Sequence, residues 1–268
     1  MKLNSGLRFA LSVFMVCGML LASGCSKDDD DVTGPENGGE YMMIHYQGDS
    51  FRVYYENLET FDVTSFKAPA YSENDAIWLS SFVDTILIPP VQGDTLSYDA
   101  RNMYSYRIEG DDGFSAAVRG YPDNIWDHMN NGYVMVLSRR VIFPDDLIDL
   151  AGAYNVKYAR NIKINRKIDL YSPDSSSFAR LCDMQTTTVE SEAAVPLSDI
   201  VETFISNPGS FMYNLQALDG YSLRSDLTWD ELQTGYWLMD SEETFFAPDS
   251  LSGGRYQVKY LEKILVID

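Results

Sequence analysis

Few residues in this chain are of the types that usually do chemistry. It holds three cysteines, Cys17, Cys25 and Cys182, and two histidines, His45 and His128. Structural and catalytic metal sites draw on Cys and His at short, regular spacings. Neither histidine neighbours a cysteine or stands at helical spacing from the other, so no metal centre is expected. Carboxylates are so numerous, 40 Asp and Glu against 20 Lys and Arg, that their spacing singles out no acid–base pair. The resulting net charge of −20 repels a phosphate backbone and argues against nucleic acid as a partner. Gly253-Gly254, between Ser252 and Arg255, lacks the pattern of a phosphate loop and reads as a turn. Aromatic residues are the richer signal, with 18 Tyr, 13 Phe and 4 Trp. Tyr and Trp offer large contact area at low entropic cost. Tyr-rich strands read either as half-buried β surface or as an exposed face for a glycan or an envelope protein, and Tyr133, Tyr236 and Trp237 are the rings expected to form such a face.

The elements that must position these residues recur in order along the chain. Tyr104, Tyr106 and Ile108 alternate with other residues, as do Phe211, Tyr213, Leu215 and Ala217, which marks strands with one buried face. Each strand runs into a turn, Asp112-Gly113-Phe114 or Asp219-Gly220-Tyr221, where Gly supplies positive φ. Short helices carrying Trp126 and Trp229 follow. Thr228-Trp229-Asp230-Glu231 reads as a capping box, with Gly235 and, in the earlier copy, Gly132 as the helix stops. Gly132-Tyr133 and Gly235-Tyr236 each open a strand, and Val156-Lys157-Tyr158 and Val258-Lys259-Tyr260 begin the strands that close each copy. A further short helix is expected after Ala194-Val195-Pro196, capped by Ser198 or Asp199. Upstream, Tyr41 to Tyr46 and Phe51 to Tyr55 form a plausible hairpin around Gln47-Gly48-Asp49-Ser50. The fold class expected is α+β: two tandem copies of a mixed-sheet unit with short helices. The first spans 41–171 and the second 172–268, with Ser172-Pro173-Asp174-Ser175-Ser176-Ser177 as the boundary.

The run Val195-Pro196-Leu197-Ser198-Asp199-Ile200-Val201, the Asp219-Gly220-Tyr221 turn and Val258-Lys259-Tyr260 together resemble the sulfite-oxidase-like molybdopterin-binding fold. That family shows a "GVPL" helix start, a "DGY" strand and a "VKW" strand in this order. The resemblance implies coiled mixed sheets, and it places Lys157 and Lys259 where family members keep a Lys near the cofactor. It also implies a molybdenum held by a Cys thiolate on a strand before the helix. The first copy has no cysteine there, and Cys182 in the second lacks the family's "Cys-x-x-Gly-Trp" setting. The pterin-binding "G-x-P-x-R" segment is missing too, with Arg139 to Pro144 at best its remnant. No cofactor is therefore expected, and molybdopterin with Cys182 as metal ligand is the alternative. Gly48-Asp49-Ser50-Phe51 is similar to the nucleophile block of GDSL-type hydrolases. That family takes its base from a histidine near the C-terminus, and none follows His128 here; a hairpin turn accounts for the segment.

The N-terminus carries an address. Lys2 and Arg8 precede an apolar run from Phe9 to Leu21, shorter than the roughly 20 residues a membrane span needs. Leu21-Ala22-Ser23-Gly24-Cys25 resembles the lipobox of bacterial lipoproteins, which implies a signal peptide over 1–24 and acyl chains on Cys25. Residues 25–40 are acidic, contain Gly and Pro, and read as a flexible tether. With Cys17 removed and Cys25 acylated, Cys182 is left without a disulfide partner. The function expected is a lipid-anchored outer-membrane lipoprotein, periplasmic or surface-exposed, acting as a non-catalytic binding module. A molybdopterin-dependent oxidoreductase with a degenerate site and a purely structural envelope component are the alternatives.

Overall fold

The computed structural model describes residues 39–65, 73–86, 88, 91–92, 97–145, 147–246, 251 and 256–268. The leader, Cys25, nearly all of the tether and Gly253-Gly254 lie outside the described residues.

The strand β1 (Tyr41–Tyr46) buries Met42, Ile44 and Tyr46 on one face and returns as β2 (Asp49–Tyr54). The hairpin turn places both Gln47 and Gly48 at positive φ, 51° and 86°. That is the turn type whose twist matches antiparallel strands. Then follow β3 (Phe61–Asp62), β4 (Asp75–Trp78), α1 (Leu79–Asp84), and the small pair β5 (Val91–Gln92) and β6 (Ser97–Tyr98). Next come β7 (Tyr104–Gly110), α2 (Trp126–Asn131), β8 (Tyr133–Met135) and β9 (Val141–Ile142). A long strand, β10 (Ala159–Ser172), turns into β11 (Ser175–Arg180). The remainder is β12 (Thr187–Val189), β13 (Glu192–Pro196), α3 (Leu197–Glu202), β14 (Met212–Ala217), α4 (Trp229–Leu232), β15 (Gly235–Leu238), β16 (Glu243–Phe246) and β17 (Leu261–Ile267). The protein is thus mixed α+β, with several sheets and few, short helices.

The 14 residues of β10 are the spine of a seven-stranded sheet. Its first part pairs in parallel with β1 and antiparallel with β7. Its second part pairs antiparallel with β11 and in parallel with β17, which in turn pairs with β14. The sheets β3-β4-β8-β9 and β12-β13-β15-β16 lie apart from it. Two large cores follow this division. One gathers buried residues between Met42 and Ile164, the other those between Ile168 and Val266. The chain therefore passes from one core to the other inside β10, at Arg166-Lys167. Ser172 to Ser177, expected as the boundary, forms the β10–β11 hairpin. Its Ser, Pro and Asp suit a tight turn as well as a linker.

The helices have four to six residues, too few to persist alone, so packing holds them. Leu197, Ile200 and Val201 are fully buried, so α3 starts directly at Leu197, with Pro196 as N-cap instead of Ser198 or Asp199. The Thr228 box forms as expected: Thr228 N donates to Glu231 Oε2 at 2.8 Å and Glu231 N to Thr228 Oγ1 at 3.2 Å. The Asp-Gly turns also form, with Gly113 at φ 74° and Gly220 at 84°. Gly132 is the C-cap of α2, as expected, whereas α4 ends at Gln233 and Gly235 opens β15; what both positions share is crowding. A Cβ on Gly132 would sit 2.3 Å from Phe143, and one on Gly235 2.5 Å from Phe246. Close packing against a ring, not a left-handed cap, demands glycine there.

Candidate binding cleft

Arg166 sits where the two cores meet. Its Nη1 donates to the Met103 carbonyl at 3.1 Å and also to that of Lys167, while Nη2 donates to Leu261 O at 2.9 Å. Nε lies 3.5 Å from Glu242, and the guanidinium lies over the Trp237 ring, 5.3 Å from its centroid. Burial lowers the pKa of Arg166, and Glu242 opposes that shift. Burial raises the Tyr104 phenol, helped by its 3.2 Å hydrogen bond with Tyr46. Next to Arg166 on the strand, Lys167 is buried and held to Asp169 at 2.5 Å; desolvation lowers its pKa against the pull of that carboxylate.

Around Arg166 opens a cleft of about 600 Å³. Its floor is the polar face of the sheet beneath the first core, carrying His45, Lys163, Arg107 and Asn165. Its walls come from the second half: the turn of Arg180 to Asp183 after β11, and the β15–β16 tip with Met239, Asp240 and Glu242. Asp123, 5 % exposed, ties floor to wall, accepting from Arg107 Nε at 2.8 Å and from Arg180 Nη1 at 3.0 Å. Arg180 also pairs with Asp183. The cleft can present several cationic donors to a small ligand, and Asp183, Asp240 and Glu242 line it as well.

The residues expected from sequence are scattered. Trp237 lines the cleft, but its ring is 1 % exposed and faces Arg166. Tyr133 is fully buried against Phe61 and Trp78, so it shows no face to a ligand; the sheet carrying it packs a small core of its own. Tyr236, half-buried on β15, is in register with Pro196 and Phe245 and lies outside the cleft lining. Lys157 and Lys259 do not begin strands. The following tyrosines, Tyr158 and Tyr260, adopt positive φ of 53° and 52°, and the strands start only after them. Both lysines are exposed, and Lys259 reaches Glu243 at 3.7 Å. Cys182 lines the cleft and is disulfide-bonded, against the expectation that it has no partner; the other cysteines, Cys17 and Cys25, lie outside the described residues.

The Gly48-Asp49-Ser50 segment is the hairpin turn and the start of β2, as expected, and it has a histidine after all. His45, opposite Ser50 across the β1–β2 ladder, places Nδ1 2.9 Å from Ser50 Oγ and Nε2 3.2 Å from Asn161 Oδ1. That chain could make Ser50 a nucleophile, but Ser50 lies outside the cleft lining. Among the described residues no group of His, Cys, Asp and Glu is arranged to hold a metal ion. The cleft residues sequence reading missed are Arg107, Asp123, Lys163, Arg166 and Arg180. The one visible signal was Arg166-Lys167, adjacent cations interrupting an otherwise alternating strand. No family model, curated protein or solved structure matches this chain.

Proposed function

We propose that this protein is an envelope lipoprotein whose two tandem α+β units bind a small ligand or partner non-catalytically at their seam. Acyl chains on Cys25 anchor it once the leader with Cys17 is removed, which leaves Cys182 reduced, so its disulfide belongs to the uncleaved chain. The observation carrying the reading is the cleft itself, walled by both halves and organised by the buried Arg166 and Asp123. Shared geometry supports the tandem reading. β4 pairs with β8 as β13 does with β15, and β7 with β10 as β14 does with β17. Gly132 meets Phe143 and Leu79 as Gly235 meets Phe246 and Leu197. Among the described residues no helix is long and apolar enough to cross a membrane. Radiolabelled palmitate should enter the wild-type protein and not Cys25→Ala. Ligands from an envelope-glycan screen should protect Met239 in the cleft from hydroxyl-radical oxidation; protection confined to other surfaces would sink the cleft as the site.

Molybdopterin remains a second reading because Cys182 stands in the same cleft as Arg107, Arg166 and Arg180. The fit is poor: the Asp183 carboxylate 3.8 Å from the Cys182 sulfur opposes thiolate formation. Stoichiometric molybdenum in protein from a molybdopterin-producing host, lost in Cys182→Ser, would establish it and overturn the non-catalytic reading.

A further inference from the structure

In a chain of net charge −20, the floor of the cleft collects basic side chains in register. His45 on β1 is paired with Lys163 on β10, and Lys163 with Arg107 on β7, so the three side chains stand in one row across adjacent strands. Like charges directly opposite each other weaken a sheet. The row is tolerated because Glu109 lies 3.1 Å from Lys163 and Asp123 accepts from Arg107. Asp123 does more than neutralise. Asp123 is buried and engages Arg107 through Nε alone, and among the described residues nothing is bonded to Arg107 Nη1 or Nη2. A buried carboxylate behind a guanidinium holds its fork in one orientation and leaves the outer donors for something else. The same carboxylate brings Arg180 from the facing wall to the same place.

We infer that the floor of this cleft is a site for the oxyanion of a small ligand, a carboxylate or a phosphate, received by Arg107, Lys163 and Arg180 with Asp123 as the positioning residue. The inference rests on the cleft reading above. Asp183, Asp240 and Glu242 also line the cleft and disfavour further negative charge, so the ligand is anionic at one end only and carries hydroxyl or other donor groups elsewhere. That chemistry belongs to acidic or phosphorylated sugars.

The test is calorimetric titration of the detergent-solubilised full chain with D-glucuronate, D-glucose 6-phosphate and D-glucose. At least one anion should bind saturably, more weakly as salt rises, while glucose does not bind. The Arg107→Gln/Lys163→Gln double variant should lose about tenfold or more in affinity. Lys163→Gln alone, which strips no buried group of its partner, should lose a smaller factor with unchanged melting temperature. Glucose binding as tightly as the anions would overturn the oxyanion site while leaving the cleft as a binding site. Absence of anion binding, or anion binding that Lys163→Gln and the double variant leave unchanged, would overturn the inference; the footprinting experiment decides the cleft reading separately.

Discussion

Arg180 Nη1 donates to Asp123 Oδ2 at 3.0 Å, and this bond joins the β11 end of the second half to the loop before α2 in the first. The same carboxylate accepts from Arg107, and its side chain is only 1 % exposed. Removing it leaves Arg107 without its counter-charge and Arg180 with Asp183 alone. Breaking buried pairs of this kind typically costs about 3–5 kcal/mol. Asp123→Ala should lower unfolding free energy in urea by that order, and Arg180→Ala by less, since Asp123 then keeps Arg107. A loss under about 1 kcal/mol for Asp123→Ala would mean the bridge contributes as little as a surface ion pair.

Arg166 serves carbonyls on both sides of the seam, Met103 and Leu261. Arg166→Met fills similar volume but leaves those carbonyls without their donor and Glu242 without its cation. A cost of about 2–4 kcal/mol is expected, from roughly 1–3 per orphaned polar group less the gain of apolar packing. Because both cores meet here, unfolding should remain a single transition in wild type and broaden or split in the variant. Equal stability with an unchanged transition would refute the role of Arg166 as the tie.

Gly235→Ala should destabilise by about 1–3 kcal/mol through overpacking, since the new Cβ would meet Phe246 at 2.5 Å and Leu197 at 2.8 Å. Phe246→Leu in the same chain should recover part of the loss. Gly220→Ala is the control: nothing lies within 4 Å, yet φ of 84° makes the substitution strained, at about 1 kcal/mol. Phe246→Leu should not relieve that strain, and a double variant that did would put the Gly235 effect in the backbone.

His128 packs against Phe143 and Tyr154, and its Nδ1 accepts from Ile125 N at 3.5 Å. Burial lowers its pKa below the ordinary 6.5, with Asp127 opposing the shift. The folded state thus prefers the neutral ring, and the unfolded state takes up the proton first. The stability this gives is complete above 6.5 and is lost as pH falls toward the folded value. His128→Gln should flatten the fall in stability over that window. Parallel curves for variant and wild type would show that His128 titrates alike in both states.

Ser50 Oγ has a histidine partner in His45 but no place on the cleft lining. A fluorophosphonate probe should leave Ser50 unlabelled in the full chain. Labelling abolished by His45→Gln would make this a serine hydrolase and end the non-catalytic reading.

Local patterns in the sequence were enough for much of the secondary structure. Alternation located β1, β7 and β14; Thr228 with Glu231 marked a capped helix; Asp112-Gly113 and Asp219-Gly220 marked turns that need positive φ. These features depend on neighbours a few residues away, so composition and period suffice. Only the tertiary structure decided what those elements meet. Alternation says that Tyr133 has two possible faces, but the sheet β3-β4-β8-β9 and the small core beneath it put the ring inside. The strand β10 reads as one closing strand, yet its parallel partners β1 and β17 come from opposite ends of the chain and carry it through both halves. The site depends on the same distant pairings. Arg107, Lys163 and Arg180 are unremarkable cations in sequence, and they converge because strand register and one buried carboxylate, Asp123, bring them to a common floor. No local rule encodes such a meeting, since it rests on contacts between residues far apart in the chain.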